Sequence, residues 1–223
     1  MGRPRLTELR RAQILETAVR VISTTGLADT SMALVAAEAG MSPALVFYYF
    51  GSKSKLLAET LQFAEDRFYR RVTAELERLD TPPYKLLRLL ELACLVGSES
   101  GSDLWDDWIL WVESWAGALR DAELASQREK LDRRWLDTIC SVVSAGRLTG
   151  DFGAGEPDEV SRLFAGLIDG LALQVLLRDP GFSPRRAFEL CVRVGSRELG
   201  CDLGLHLTTY QAANARRGGA SIV

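Results

Sequence analysis

The chain has 223 residues, of which 47% are apolar and 26% charged, enough to bury a core over one or two modest domains and unlike a low-complexity or disordered composition. Its formal charge of −3 hides an asymmetry: residues 1–55 hold seven Lys/Arg against four acids, and the acidic excess lies in the rest, a basic head on an acidic body. No stretch approaches about eighteen apolar residues, the start MGRPRLTELRR lacks a secretory apolar run, and Cys94, Cys140, Cys191 and Cys201 form no CxxC pair beside a single histidine. The composition therefore argues against a membrane span, a signal peptide, the usual zinc sites and disulfides, and fits a cytoplasmic protein with reduced, mostly buried thiols.

Arg3-Pro4-Arg5 precedes any helical pattern and is expected to be a mobile arm, with Arg3 and Arg5 either reaching a minor groove or phosphates, or remaining solvated. A first helix is predicted over residues 7–25, with Ile14, Ala18, Val21 and Ile22 inward and Gly26 closing it.

Residues 30–55, TSMALVAAEAGMSPALVFYYFGSKSK, read as two short helices around a tight turn. Ser31 offers a hydroxyl to an unpaired backbone N–H, and Met32, Val35, Ala36 and Ala39 then recur at helical spacing. Gly40 supplies the positive φ of a helix end; Ser42 caps the next helix, and Pro43 follows where a missing N–H does no harm. Helix, glycine turn, helix is the helix-turn-helix arrangement, whose second helix enters the DNA major groove. Its first residues approach base edges: Ser42 can hydrogen-bond, whereas Pro43 and Ala44 can only touch apolar groups such as a thymine methyl. Leu45 and Tyr48 are the next outward candidates, and Val46 and Phe50 are expected to pack inward. With no arginine on this helix, discrimination should lean on van der Waals contact and DNA shape.

A long helix is predicted from Lys53 to about Leu79, broken by Thr81-Pro82-Pro83, followed by a leucine-rich helix over residues 84–97 and a loop, GSESGS. Residues 103–119 hold four of the five tryptophans, with Trp108, Trp111 and Trp115 on one helix face. That stripe is either core or, with Asp106, Asp107 and Glu113 alongside, a wall for a flat or cationic molecule. Helices follow over residues 123–147, 158–178 and 183–199; in the second of these Ala165, Gly166, Asp169, Gly170 and Leu173 recur at three and four residues, a spacing that lets another helix approach closely. The chain from His206 on is expected to be a disordered tail.

Residues 10–57 resemble the DNA-binding domain of the tetracycline-repressor (TetR) family of bacterial regulators. The resemblance is carried by Ile14, Ala18 and Gly26, by Thr30-Ser31 and Ala36-Ala37…Gly40-Met41-Ser42, and above all by Leu45-Val46-Phe47-Tyr48-Tyr49-Phe50-Gly51-Ser52-Lys53, which is similar to the family's LYxHFxSK signature. Phe47 stands where the family usually has tyrosine, and Ala33 and Leu34 where polar residues are common. In the body, Trp108-Ile-Leu-Trp111-Val-Glu-Ser-Trp115, Arg133-Arg134-Trp135, Gly150-Asp151-Phe152 and Leu167-Ile-Asp169-Gly170 resemble the choline-responsive (BetI-like) branch.

The resemblance implies an all-α fold of about nine helices, with a helix-turn-helix DNA-binding domain (1–52), a ligand-binding and dimerisation domain (53–205) and a tail (206–223). It implies a cytoplasmic one-component regulator, most often a repressor, that binds a palindromic operator as a homodimer, responds to a small effector and has no enzymatic activity or cofactor. The implied DNA set is Arg3, Arg5, Thr30, Ser31, Ser42, Pro43, Ala44, Leu45, Phe47, Tyr48, Tyr49 and Lys53, the last two at phosphate-contacting positions. The effector, aromatic or cationic, is expected against Phe63, Phe68, Cys94, Trp108, Trp111, Trp115, Trp135 and Asp169. The last two helices pair with their copies across a two-fold axis in this family, which assigns the interface to Ala165, Gly166, Gly170, Leu173, Phe188, Cys191, Val192 and Gly195. The alternatives are an all-α enzyme or carrier, for which the chain offers no convergent titratable groups or phosphate loop, and an architectural DNA binder without effector.

Overall fold

In the computed structural model, residues 3–218 are described and fold into ten α-helices: α1 Arg3–Thr25, α2 Met32–Glu38, α3 Pro43–Phe50, α4 Lys53–Leu76, α5 Pro82–Ala93, α6 Asp103–Ala118, α7 Ala122–Thr149, α8 Pro157–Leu176, α9 Pro184–Glu198 and α10 Leu203–Gly218. No single helix among the described residues is long and apolar enough to cross a membrane. Packing divides the chain into two units, residues 1–71 with 98–131, and residues 72–97 with 132–223.

Local chemistry sets the helix-turn-helix of the first unit. Ser31 Oγ accepts from the Leu34 N–H at 3.1 Å and Ser42 Oγ from the Leu45 N–H at 3.3 Å, so each short helix starts on its own cap. Gly40, at φ 65°, ends α2 in a Schellman turn, with Met41 N–H donating to the Ala36 carbonyl and Gly40 N–H to that of Ala37. The chain thereby bends by 116° between α2 and α3. Val46 and Phe50 anchor α3 among Ile14, Ala18, Val21, Val35 and Leu56, all buried. A second cluster of Val19, Ile22, Leu57, Leu61, Ala64 and Leu110 joins α1, α4 and α6.

In the second unit α5 packs against α8, α9 and α10, with Leu86, Leu87, Leu89 and Leu90 all buried. It ends at Ala93, short of the expected residue 97, because Leu95 takes the left-handed conformation at φ 62° and Val96 N–H turns back to the Glu91 carbonyl. The α8–α9 pair meets at Gly195: a Cβ there would lie 2.8 Å from the Phe164 ring and 2.9 Å from Leu203, so only glycine fits.

Two expectations at the ends are corrected. Helix α1 already begins at Arg3, because proline is tolerated in a first turn, where its missing N–H has no helical partner, so Arg3-Pro4-Arg5 is the first turn of α1 and not a separate arm. The side chains of Arg3 and Arg5 lie outside the described residues. The expected tail is α10 as far as Gly218, with residues 219–223 outside the described part. Asp202 caps it by accepting from the Leu205 N–H at 3.0 Å, and Leu203 and Tyr210, seven residues apart, are buried on one face. The Tyr210 hydroxyl donates to Glu91 at 3.1 Å, and its ring lies 5.6 Å from that of Tyr84.

Candidate nucleic-acid interface and aromatic cluster

On and just before α3, Ser42, Pro43, Ala44, Phe47 and Tyr48 are exposed, while Leu45 and Tyr49 are half-buried. Phe47 is 59% and Tyr48 79% exposed, two rings standing in water on a helix whose opposite side is pinned by Val46 and Phe50. Ser31 is exposed at the start of α2. Lys53 lies beside this surface, its Nζ donating to the Ala28 carbonyl at 2.9 Å. Thr30 is corrected: it is 1% exposed, its hydroxyl donating to the Gly26 carbonyl at 2.8 Å, so it builds the turn after α1 and cannot face DNA.

Sequence reasoning gives Arg11 no role, yet it fixes the reading helix. Its Nη1 donates to the Tyr49 carbonyl at 2.9 Å, its guanidinium lies 4.7 Å from the centroid of the Phe50 ring, and it pairs with Glu59. The cation thus satisfies the C-terminal end of α3, where a positive charge is favourable. Glu113, read from the sequence as an acid beside the tryptophan stripe, has a structural role as well: its carboxylate accepts from the Leu27 N–H at 2.9 Å, tying α6 to the turn after α1, close against Gly26 at φ 83°. Neither has a local signal, since the partners are 38 and 86 residues apart in sequence.

The first unit also gathers rings along α4 and α6. Trp108 and Trp111 meet edge-to-face at 5.3 Å, Trp108 and Trp115 at 6.3 Å, and Phe68 and Trp111 at 5.1 Å. The Trp108 indole N–H is buried without a hydrogen-bond partner, an orphan donor in the middle of the cluster. The other residues expected with them divide between the two units. Phe63 packs on the two cores around Ile14 and Val19, with the Arg67 guanidinium 5.9 Å from its ring. Cys94, Trp135 and Asp169 belong to the second unit, where Trp135 and Asp169 are half-buried and Cys94 is fully buried with its Sγ 3.7 Å from that of Cys191. The Cys191 hydrogen bond and burial both raise the Cys94 thiol pKa, keeping it protonated.

Beside the rings, Arg67 reaches Asp107 at 2.5 Å and Asp103 at 3.1 Å. Burial opposes the Arg67 charge, but the hydrogen bond and charge of Asp107 outweigh it and raise its pKa. For Asp107 burial prevails over Arg67 and pushes the carboxyl up to about 6. A raised carboxyl pKa means the folded state binds the proton more tightly. The stability it confers is therefore complete below the unfolded pKa near 4 and lost as pH rises through about 6. Asp107→Asn should remove a contribution of roughly 3 kcal/mol to the pH slope between 4 and 7. Denaturant melts of both proteins across that range check it, and identical slopes would exclude Asp107 as the titrating group.

The α8 and α9 residues expected at a partner divide. On α8, Gly166 and Gly170 are exposed with nothing within 4 Å of an added Cβ, Ala165 and Leu173 are half-buried, and Leu163 and Leu177 stand 43% and 73% exposed nearby. On α9, Phe188, Cys191, Val192 and Gly195 are corrected: all are buried within the chain, and its outer face carries Arg185, Glu189, Arg193 and Arg197 instead.

The chain matches two family models, bacterial regulatory proteins of the tetR family over residues 14–60 and the C-terminal domain of BetI-type transcriptional repressors over residues 83–199. It is 26% identical over 186 residues to the HTH-type transcriptional regulator BetI of Paraburkholderia xenovorans, covering 82% of this chain and 89% of that protein, and 26% identical to BetI of Serratia proteamaculans, covering 82% and 88%. Among solved structures, a putative transcriptional regulator from Saccharomonospora viridis in complex with choline superposes with a TM-score of 0.76 at 29% identity, over 85% of this chain and 96% of that one. A putative TetR-family regulator from Rhodococcus sp. shares the fold with a TM-score of 0.74 at 22% identity, over 85% and 98%.

Proposed function

We propose a specific working mode for this chain from the premise that it belongs to the tetR family of bacterial regulatory proteins, in the BetI-type branch, and is therefore a DNA-binding transcriptional regulator and not an enzyme. Residues 1–52 read an inverted-repeat operator, and residues 53–205 carry effector recognition and dimerisation, in the cytoplasm. Two copies join through the outer face of α8, and an inverted repeat is read when two α3 helices lie about 34–36 Å apart, one turn of DNA. The support for α8 is the row Leu163, Gly166, Gly170 and Leu177, small and apolar residues that are exposed among the described residues.

The effector is a small quaternary ammonium or other organic cation, and the observation that carries this is the edge-to-face array of Phe68, Trp108, Trp111 and Trp115. Indole faces attract cations through their quadrupole, and the orphan Trp108 N–H suits an effector that also presents an oxygen. The likeness to a choline-bound regulator adds support. Such a ligand changes operator affinity only by its differential affinity for the two conformers. Titration with choline, betaine aldehyde and spermidine is expected to give a saturable change in tryptophan emission and release of operator by at least one of them. Unchanged emission with all three would sink this effector class.

A further inference from the structure

The reading helix presents chemistry that narrows what it reads. From Pro43 to Phe50 its side chains contain no amide, carboxylate, guanidinium or ammonium; the polar atoms are the hydroxyls of Tyr48 and Tyr49. Bidentate contacts to guanine O6/N7 or adenine N6/N7 need a fork of donors or acceptors, and this helix has none. The hydroxyl of Ser42 accepts from the Leu45 N–H as the cap of α3, which leaves it one donor and no fork, and Arg11 is held on the Tyr49 carbonyl and the Phe50 ring. On the helix beyond Pro43, the exposed side chains are Ala44, Phe47 and Tyr48, at i, i+3 and i+4, a face that is apolar except for the Tyr48 hydroxyl. Phe47 has no polar atom and is 59% exposed.

Of the groups on the floor of the major groove, the thymine C5-methyl is the one an apolar face can single out, because removing it leaves every hydrogen-bonding atom of the base pair in place. We propose that Phe47, flanked by Ala44 and Tyr48, selects its operator by packing on thymine C5-methyl groups, so that each half-site carries thymine under the second turn of α3. This rests on the reading of the chain as a regulator of an inverted repeat. Each buried methyl contributes about fourfold in affinity, and a symmetric pair about fifteenfold.

The test starts from full-length protein and an inverted repeat selected from random duplex DNA, with binding followed by fluorescence anisotropy. Thymidine is then replaced by deoxyuridine inside the half-sites in one duplex, and only outside them in another. The expected result is a loss of about fifteenfold in the first duplex and no change in the second, with Phe47→Ala binding thymidine and deoxyuridine half-sites within twofold of each other. Phe47→Tyr, which keeps the ring, should retain the discrimination. Equal binding of thymidine and deoxyuridine half-sites by the unaltered protein overturns this inference while leaving the regulator standing. Undiminished discrimination by a folded Phe47→Ala variant overturns the assignment to Phe47. Failure to enrich any inverted repeat overturns both the regulator reading and the inference built on it.

Discussion

Gly170→Glu is expected to leave the chain folded, convert the dimer to a monomer and weaken operator binding by about a hundredfold or more. The folded state should tolerate the change because Gly170 is exposed on α8 with φ in the helical range and nothing lies within 4 Å of an added Cβ. A helical glycine costs about 0.5–1 kcal/mol relative to alanine, so Gly166 and Gly170 are unfavourable within the isolated chain unless something approaches them closely. A second α8 would be such a neighbour in the proposed dimer, and a carboxylate at position 170 would be buried there against its own copy, two like charges in a dry contact. Operator affinity follows because the second half-site is bound at the high effective concentration that the dimer supplies. Light scattering after gel filtration and anisotropy on the selected operator check the two halves of the expectation. A dimeric Gly170→Glu protein with unchanged affinity would move the interface off this face of α8.

The parts of the fold legible in the sequence are those that short-range chemistry decides. Ser31, Gly40, Ser42 and Pro43 specify where α2 and α3 begin and end through caps and a positive φ, and each acts within four residues. Trp108, Trp111 and Trp115 share a face by period alone, and the structure brings their rings together. Period does not say what a face meets. The apolar side of α9, Phe188, Cys191, Val192 and Gly195, reads equally well as a partner surface or as core, and it is core because α5, α8 and α10 of the same chain cover it. That covering includes α10, where a disordered tail is expected from His206 on; its Asp202 cap and the Leu203–Tyr210 spacing are the local signals for it. Phe63 and Cys94 are placed by long-range packing, on which local pattern carries no information.

Phe50→Ala should abolish operator binding by a different route, lowering the stability of the reading unit by about 3–5 kcal/mol while leaving the protein dimeric. Phe50 is 1% exposed at the last turn of α3, packed in the cluster with Ile14, Val46 and Leu56, and its truncation leaves a cavity in a core built from short helices. The loss reaches beyond volume: the Arg11 guanidinium, 4.7 Å from the ring centroid, loses the face on which it rests while it holds the Tyr49 carbonyl. A domain with about 5–15 kcal/mol of stability in total can be unfolded locally by such a change, and α3 then has no fixed orientation in the groove. The contrast with Phe47 is the instructive part. Three residues apart on one helix, Phe50 is buried and Phe47 is 59% exposed, so truncating the first should depress the thermal midpoint and all DNA binding together, whereas truncating the second should change sequence preference at nearly constant stability. Thermal melts, gel filtration and anisotropy on specific and random duplexes separate the two effects. A Phe50→Ala protein that melts like the unaltered chain and still binds operator would show that α3 is held by Val46 and Arg11 alone.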